Sequence, residues 1–412
     1  MADAGTRRVG RPSRRRRHGG GLHSRGRLPG GRDRLVSARL AEVELRRVQL
    51  ALVSPFRTSF GAETDRDVLL VRVALEVDGE RIDGWGECVA LREPVYSAEF
   101  VDAAELVIDE HLVPRLVDGP PVSAASVAGR LAAVKGHPMA KAAVEMAVLD
   151  AELRHRGECL ARHLGGTVDR VPSGVSVGIF DSIDELLSAV QGYLDEGYLR
   201  IKLKIEPGWD IEPVRRVREL IGPEMGLQVD ANTAYGRSDI EHLCRLDEFD
   251  LLLIEQPLAE EDIVGHAQLA RASATPVCLD ESIVSLATAA DAIELGATQI
   301  INIKPGRVGG YLEARRIHDL CVDRGVPVWC GGMLETGIGR AANAALASLP
   351  GFTLPGDISA STRFYARDIV TDPIVVVDGH VAVPTTPGLG FELDLPHLDT
   401  VTRSSTLIEL SS

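Results

Sequence analysis

The sequence predicts an α/β fold, a (β/α)8 barrel joined to a smaller α+β unit that caps it. Three observations support this prediction. The 412 residues exceed the roughly 250 that one such barrel needs. Strand-like segments precede helical ones in the first part of the chain, which is typical of an α+β unit. From about Val171, short apolar runs alternate regularly with amphipathic segments, which is typical of a parallel barrel.

Composition and charge divide the chain into four segments. The first 39 residues hold 12 arginines and only 2 acidic residues, although the net charge of the chain is −15. They lack hydrophobic periodicity, so we expect a disordered tail or a start codon placed too far upstream. The predicted segments are a tail (1–39), an α+β capping domain (40–165), the barrel (166–365) and a C-terminal segment returning to the capping domain (366–412).

The capping domain is predicted from three strands and three helices. The strands are Val43–Val53, Val68–Val77 and Gly84–Cys88, and Ser54–Glu63 is predicted to be a loop. Asp78-Gly79 is a hairpin signal between the second and third strands. The helical segments are Ser97–Leu112, Val122–Lys135 and Met139–Arg156.

Eight apolar runs in the second part of the chain predict the strands of the barrel. Amphipathic segments such as Glu212–Ile221, Ser285–Leu295 and Tyr311–Arg324 fill the gaps between them. Eight strands indicate a closed parallel barrel better than an open sheet. The predicted strands are Val175–Ile179, Arg200–Ile205, Leu227–Asp230, Leu251–Glu255, Val277–Asp280, Gln299–Ile303, Val326–Trp329 and Phe352–Leu354.

Three lysines lie on two of these strands. Lys202 and Lys204 are two residues apart, and strand side chains alternate between faces, so both should point into the barrel. A solvated lysine face is the competing interpretation, but the strands of a parallel barrel have no such face. Lys304 ends the sixth strand, opposite the second. Lys204 and Lys304 should therefore approach a central substrate from opposite sides.

Three acidic residues end the strands between the lysines. Asp230, Glu255 and Asp280 follow one another at intervals of 25 residues, and each closes an apolar run. One such acid would more often cap a helix, but three at one barrel rim are better explained as oxygen ligands of a hard cation such as Mg²⁺. Asn232 should support the same site. This arrangement suits removal of a proton next to a metal-bound carboxylate.

The lysines and acids, with four longer motifs, resemble a known family. The motifs are Ser54–Gly61, Lys202–Asp210, Asn302–Gly310 and Gly331–Gly337. Together they resemble the enolase superfamily, in its muconate-lactonizing subgroup, and within it the actinobacterial N-acylamino acid racemase / o-succinylbenzoate synthase enzymes. The resemblance covers roughly Val43 to Leu389.

The resemblance implies a modified (β/α)8 TIM barrel and a role for each site residue. Lys204 and Lys304 would be the acid/base pair, and Lys202 would help to hold the substrate carboxylate. The three acids would bind Mg²⁺, or alternatively Mn²⁺ or Co²⁺. Ser54–Gly61 would be a mobile specificity loop. The implied pocket residues are Phe56, Arg57, Leu91, Tyr96, Ser176, Gly332 and Leu334; without the resemblance, Leu91 and Leu334 would be interpreted as core residues.

The implied reactions are racemisation of N-acyl amino acids and dehydration to o-succinylbenzoate, a step of menaquinone biosynthesis. Both begin with loss of a proton next to a carboxylate, so one site can serve both. A dipeptide epimerase or cycloisomerase on the same barrel is the first alternative, because it shares these catalytic residues. A non-catalytic protein that binds nucleic acid through the arginine-rich tail is the second.

The expected partners follow from composition and from the resemblance. The acidic folded part has no overall attraction for nucleic acid, and no apolar run reaches the roughly 20 residues that cross a bilayer. Six scattered cysteines without a CxxC pair indicate reduced thiols and a cytoplasmic location. The expected partner is therefore a small-molecule carboxylate. The family implies a homo-oligomer, expected to be an octamer.

Overall fold

The computed structural model describes residues 38–410. The first part of this range, residues 38–164, is an antiparallel sheet covered by helices and is called the cap below. Its elements are strands β1 (Ala38–Thr58), β2 (Gly61–Val77) and β3 (Glu80–Cys88) and helices α1 (Val101–Val107), α2 (Val113–Val117), α3 (Ala124–Leu131), α4 (Pro138–Arg156) and α5 (Leu160–Leu164), with a π-helical turn (Ile108–Leu112) joining α1 to α2.

Two glycines let the longest helix of the cap lie directly on its sheet. Gly84 and Gly86 of β3 face the backbone of α4, where a Cβ atom would stand 2.2 Å from the Ala147 carbonyl oxygen and 2.0 Å from that of Ala143. Any larger side chain would push the helix away. β1 begins at Ala38, five residues before the predicted strand start at Val43 and two before the predicted start of the capping domain, and the rest of the predicted tail lies outside the described residues.

The predicted loop Ser54–Glu63 is instead the tip of a β-hairpin. β1 and β2 pair through Phe56–Glu63, Arg57–Ala62 and Thr58–Gly61, and the register shifts between Ala51 and Phe56. Pro55 has no N–H to donate, so it interrupts the hydrogen bonds of the strand. The bulge takes up this residue, and pairing then resumes.

Seven short parallel strands form the curled sheet of the second part. Their order is β11-β10-β9-β8-β7-β6-β5, so neighbours in sequence are neighbours in space. After β4 (Arg170–Pro172), the strands are β5 (Val175–Val177), β6 (Arg200–Lys204), β7 (Gly226–Asp230), β8 (Ile254–Glu255), β9 (Val277–Leu279), β10 (Ile300–Ile303) and β11 (Val328–Cys330).

Helices connect these strands and cover the outside of the sheet. They are α6 (Ile183–Asp195), α7 (Ile211–Ile221), α8 (Ile240–Leu243), α9 (Ile263–Ala272), α10 (Leu286–Glu294), α11 (Pro305–Val308), α12 (Tyr311–Arg324) and α13 (Gly337–Ala347), with 3₁₀ turns at Arg237–Asp239, Cys244–Phe249 and Ser361–Arg363. This parallel sheet with its separate antiparallel cap confirms the predicted fold class.

The eighth predicted barrel strand does not form. Phe352 makes only an isolated bridge to Val328 of β11, and Gly356 makes another to Ser173, just before β5. The segment thus touches both edges of the seven-stranded sheet and closes the ring without a ladder of its own. Pro350 and Pro355 flank it and cannot donate the hydrogen bonds that a ladder needs.

The last part of the chain crosses back to the cap. It contains β12 (Val376–Val377), β13 (His380–Ala382), α14 (Leu395–Val401) and β14 (Thr402–Glu409). β12 pairs with β13, and β13 pairs with β4. β14 pairs antiparallel with β1, from Glu409 opposite Glu42 to Thr402 opposite Val48. The cap sheet is therefore assembled from both ends of the described chain.

Two buried glutamates of the cap hold the first turns of helices in the barrel. Glu145 of α4 accepts hydrogen bonds from the backbone N–H groups of Tyr311 and Leu312 at the start of α12. Glu87 of β3 accepts from those of Thr336 and Gly339 at the start of α13. These contacts join cap and barrel at two places.

No helix among the described residues is long and apolar enough to cross a membrane.

Candidate active site

Lys202 and Lys204 point to the same face of β6 and are buried there. The Nζ atom of Lys204 lies 2.6 Å from Asp230 Oδ2 and donates to Asn232 Oδ1 at 2.6 Å. That of Lys202 lies 3.1 Å from Glu255 Oε2 and 2.5 Å from Asp357 Oδ2. The alternation of strand side chains thus places two ammonium groups inside the sheet, each beside carboxylates.

The three predicted acids end three neighbouring strands. Asp230 is the last residue of β7 and is in register with Glu255, the last of β8. Asp280 directly follows β9. All three are fully buried. The carboxyl ends of parallel strands meet at one edge, so residues 25 positions apart are brought to one floor.

Lys304 lies across this floor from Lys204. It follows β10, which three strands separate from β6. Its Nζ atom lies 2.7 Å from Asp280 Oδ2 and 3.3 Å from the Tyr96 hydroxyl. Arg307, in the short helix after Lys304, also pairs with Asp280. The two lysines therefore flank the row of acids from opposite sides.

Burial and mutual charge set the protonation of the groups around β6. Burial lowers the pKa of Lys204, and the neighbouring Lys202 lowers it further, against the opposing effect of Asp230. Burial alone would lower the pKa of Lys202, but Asp357 and Glu255 raise it above its usual range. Burial alone would raise the pKa of Asp230, but Lys204 and Lys202 lower it. Lys202 therefore stays an ammonium, while Lys204 loses its proton more readily.

A cavity lies above the lysines, between the barrel and the β1–β2 hairpin. Ser59 Oγ donates to the carbonyl oxygens of Ala231 and Asn232 at 3.2 Å, and the Ile179 N–H donates to the Arg57 carbonyl at 3.0 Å, so the hairpin is bonded to the barrel rim. The predicted residues that line the cavity are Phe56, Leu91, Tyr96, Ser176, Lys202, Lys204, Asn232, Lys304, Gly332 and Leu334.

The side chain of Arg57 is directed away from this cavity. It is not among the lining residues, and its guanidinium forms ion pairs with Asp181 and Glu206 near the surface. The reason is its place in β1, where Phe56 and Thr58 on either side face the cavity and Arg57 faces the other way. The interpretation of Arg57 as a pocket residue is corrected accordingly.

Several residues of the site were not predicted. Asp357 contacts Lys202 and lines the cavity, and it follows the predicted eighth strand by three positions, which was an available signal. Burial alone would raise the pKa of Asp357, but Lys202 and Arg200 lower it to about 2. The other unpredicted lining residues are Thr58, Phe60, Glu63, Met333, Glu335, Arg340, Ser359 and Phe364. Thr58 and Glu63 lie in the hairpin that was predicted to be a loop, Arg340 lies in α13, and the others lie in turns and loops whose sequences carry no periodic signal.

The donor chemistry of the floor fits a hard divalent cation. Three buried carboxylates converge from adjacent strands, and Glu281 Oε2 beside them is buried without a hydrogen-bond partner among the described residues. As the side chains of residues 38–410 stand, no three His, Cys, Asp or Glu residues are arranged around one ion, because each carboxylate is paired with a lysine. Carboxylate oxygens are the preferred ligands of Mg²⁺, so the residue types fit this ion. In this arrangement, the same carboxylates are paired with the lysine ammonium groups.

Comparison with known families identifies both parts of the chain. Residues 40–165 match the model described as the mandelate racemase / muconate lactonizing enzyme N-terminal domain. Residues 185–397 match the model described as enolase C-terminal domain-like. The first match spans most of the cap, and the second begins within α6 and spans most of the barrel.

Curated relatives and solved structures match over nearly their whole length. An N-succinylamino acid racemase of Amycolatopsis is 62% identical over 90% of this chain and 99% of the relative. An o-succinylbenzoate synthase of Geobacillus kaustophilus is 47% identical over 89% and 96%. The crystal structure of an enolase superfamily member from Listeria innocua has a TM-score of 0.86 at 40% identity, over 91% and 100%. The chain belongs to the enolase superfamily, among the mandelate racemase / muconate lactonizing enzymes.

Proposed function

We propose that the chain removes the proton next to a carboxylate and racemises N-acyl amino acids, in particular N-succinyl amino acids. The observation behind this proposal is that Lys204 and Lys304 line one cavity from opposed strands and flank three buried carboxylates. Racemisation needs exactly such a pair, because one base removes the proton from one face and the other returns it to the opposite face. The relative at 62% identity carries this activity in its name.

Each lysine has a distinct part in the proposed reaction. Lys204 takes the proton from the α-carbon of one enantiomer, helped by the lowered pKa that burial gives it. Lys304 takes the proton of the other enantiomer. Lys202 stays protonated and holds the substrate carboxylate by charge. The cavity side chains Phe56, Leu91, Tyr96, Ser176, Asn232, Gly332 and Leu334 would enclose the rest of the substrate.

Asp230, Glu255 and Asp280 would hold a divalent cation. Mg²⁺ suits few carboxylates together with oxygens of water and substrate, and Mn²⁺ and Co²⁺ are the alternatives. When bound, the cation supplies positive charge beside the substrate carboxylate as its α-proton leaves. In the structure as described, the same acids pair with Lys202, Lys204 and Lys304.

Dehydration to o-succinylbenzoate is the second candidate activity of the same site. A relative at 47% identity is named for it, and the reaction starts with the same proton loss. One lysine would then act as base and acid while the other contributes charge. An epimerase acting on dipeptides is less favoured, because the L-Ala-D/L-Glu epimerase of Bacillus subtilis is only 27% identical.

The test is a substrate panel with and without metal. Purified enzyme is dialysed against a chelator and assayed with pure D and L enantiomers of N-succinyl amino acids, the o-succinylbenzoate precursor and Ala-Glu dipeptides. We expect no turnover without metal, and racemisation after addition of Mg²⁺, Mn²⁺ or Co²⁺. Full activity in metal-free enzyme would refute the metal site. Turnover of dipeptides alone would replace the racemase proposal with the epimerase.

A homo-oligomer, expected to be an octamer, is part of the proposal. Light scattering coupled to size-exclusion chromatography gives the mass of the particle in solution. A mass near eight times 44.3 kDa is expected, and a monomer would contradict it.

A further inference from the structure

A buried arginine lies in the wall of the cavity, and the proposed roles of the lysines do not use it. Arg340 is in the first turn of α13 and is only 2% exposed, yet it lines the same cavity as Lys204 and Lys304. Its guanidinium carbon lies over the Phe364 ring, 5.0 Å from the ring centre, and this contact limits the movement of the group. A rigid cation therefore forms part of the cavity wall.

The hydrogen bonds of Arg340 all go to uncharged groups. Its Nε atom donates to the Glu335 carbonyl oxygen at 2.9 Å, and its Nη1 atom donates to the Ser359 carbonyl at 2.8 Å and to the Ser359 hydroxyl at 3.3 Å. The Nη2 atom has no hydrogen-bond partner among the described residues. It is not one of the fully buried atoms that lack a partner. The Nη2 atom is therefore accessible and free to donate to a ligand.

The nearest carboxylate along the chain does not neutralise this cation directly. Glu335 lines the cavity too, but its carboxylate oxygens accept from the Met333 N–H at 2.9 Å and from the Asn343 amide at 3.0 Å. Two other buried cations, Lys202 and Arg200, behave differently, since they share Asp357. A buried guanidinium bonded only to neutral groups is costly unless an anion joins it.

We propose that Arg340 binds a second carboxylate of the substrate, at the far end of its acyl arm, through Nη2. One carboxylate of the substrate faces Lys202 and the floor, and the other faces Arg340, so the site selects dicarboxylates. This inference rests on the proposed racemase function and adds a reason for choosing a succinyl over a neutral acyl group. Guanidinium and carboxylate match in both charge and shape.

A pair of substrates that differ only in this charge tests the proposal. The N-succinyl derivative and the N-succinamoyl derivative of one amino acid have the same length, but the second ends in a neutral amide. We expect kcat/KM of the wild-type enzyme to favour the succinyl compound about 10- to 100-fold, as a hydrogen-bonded charge pair allows. In Arg340→Met this ratio should fall close to one, and Arg340→Lys should restore part of it.

Arg363→Met is the matched control. Arg363 stacks on the same Phe364 ring at 5.0 Å but does not line the cavity, so its loss should leave the ratio unchanged. A merely structural Arg340 would lower kcat/KM for both substrates alike and keep the ratio, which would overturn the proposal. Equal use of the two substrates by wild-type enzyme would also overturn it, even if Arg340→Met does not fold. Racemisation of neither substrate would instead reject the proposed function itself.

Discussion

Lys204 and Lys304, the two lysines of the proposed acid/base pair, have different surroundings. Lys204 lies between Asp230 and the neutral Asn232, and burial, then Lys202, lower its pKa. Lys304 lies 4.8 Å from the centre of the Tyr96 ring and beside Asp280. Burial alone would lower its pKa, but neighbours including Tyr96 raise it above the usual range.

This difference shows that two lysines can lie on opposite sides of one site and still have different pKa values. Both ammonium groups are nearly buried, at 8% and 5% exposure for Lys204 and Lys304, and each contacts one acid of the floor. The two lysines differ in their other charged or polar neighbour, which is Lys202 for Lys204 and the Tyr96 phenol for Lys304. In the ligand-free protein Lys204 is therefore more easily deprotonated and can act as the base, whereas Lys304 holds its proton and can act as the acid.

The largest expected effect comes from removing either lysine. In Lys304→Ala, the enantiomer served by Lys204 should still exchange its α-proton with D₂O, yet it should scarcely racemise, because reprotonation returns from the same side. Lys204→Ala should show the mirror preference. Each loss should cost about 10²–10⁴-fold in racemisation. NMR of the α-proton with each pure enantiomer measures both rates.

Lys202→Ala is the useful control for this pair. It removes a cation from the same strand face, so exchange should fall for both enantiomers without a preference. Racemisation at nearly the wild-type rate in either Lys204→Ala or Lys304→Ala would contradict the assignment of two bases.

The next effect concerns the neutral partner of each lysine. In Asn232→Asp an added carboxylate should favour the charged form of Lys204 and so raise its pKa. Proton removal by Lys204 should then need a higher pH, while removal by Lys304 should shift less. Rates of α-proton exchange from pH 6 to 10, measured for each enantiomer, give the two profiles. Equal shifts for both enantiomers would show that the two lysines titrate as one unit.

Tyr96→Phe makes the corresponding change on the other side. It removes the hydroxyl that lies 3.3 Å from both Lys304 Nζ and Asp280 Oδ1 and keeps the ring under the ammonium group. Loss of one hydrogen bond to a charged group should lower the rate for the Lys304-dependent enantiomer by roughly 10- to 100-fold. The steady-state rates with the two enantiomers, each compared with wild type, show which enantiomer the substitution affects. A loss confined to the other enantiomer would reverse the assignment of sides.

The smallest expected effect comes from Ser59→Ala in the hairpin. Its hydroxyl bonds the backbone carbonyls of Ala231 and Asn232, which lie on the Lys204 side. Loss of a neutral hydrogen bond should cost about 2- to 10-fold in kcat/KM, chiefly for the Lys204-dependent enantiomer. Thr64→Ala, at an exposed position of the same hairpin, is the control. A change in melting temperature without a change in kcat/KM would limit Ser59 to a structural role.

The residues of the floor could be predicted from sequence because strand periodicity determines where they lie. Lys202 and Lys204 needed only the alternation of faces, and the three acids needed only the repeat of 25 residues. Arg57 was misplaced because the same alternation was not applied to a segment interpreted as a loop. The eighth strand was predicted from the apolar character of Phe352–Leu354, but flanking prolines prevent a ladder.

Strand alternation could not assign Arg340 or Asp357 to the site, although Asp357 follows the predicted eighth strand by three positions. Arg340 lies on a helix whose described residues are all buried, so helical periodicity gives its side chain no preferred face. Asp357 lies in the segment that closes the ring by isolated bridges, where no ladder sets the direction of side chains. Their places depend on contacts between distant parts of the chain, which a local pattern does not contain.

The pairing of β14 with β1 has a consequence for the order in which the molecule can be built. The strand that covers one edge of the first sheet leaves the ribosome only after all the barrel strands have been made. During synthesis the outer edge of β1 stays open, and an open strand edge invites pairing with other chains. A premature stop codon after the barrel and before β14 would therefore leave the edge of β1 unpaired, although the barrel would be complete in sequence.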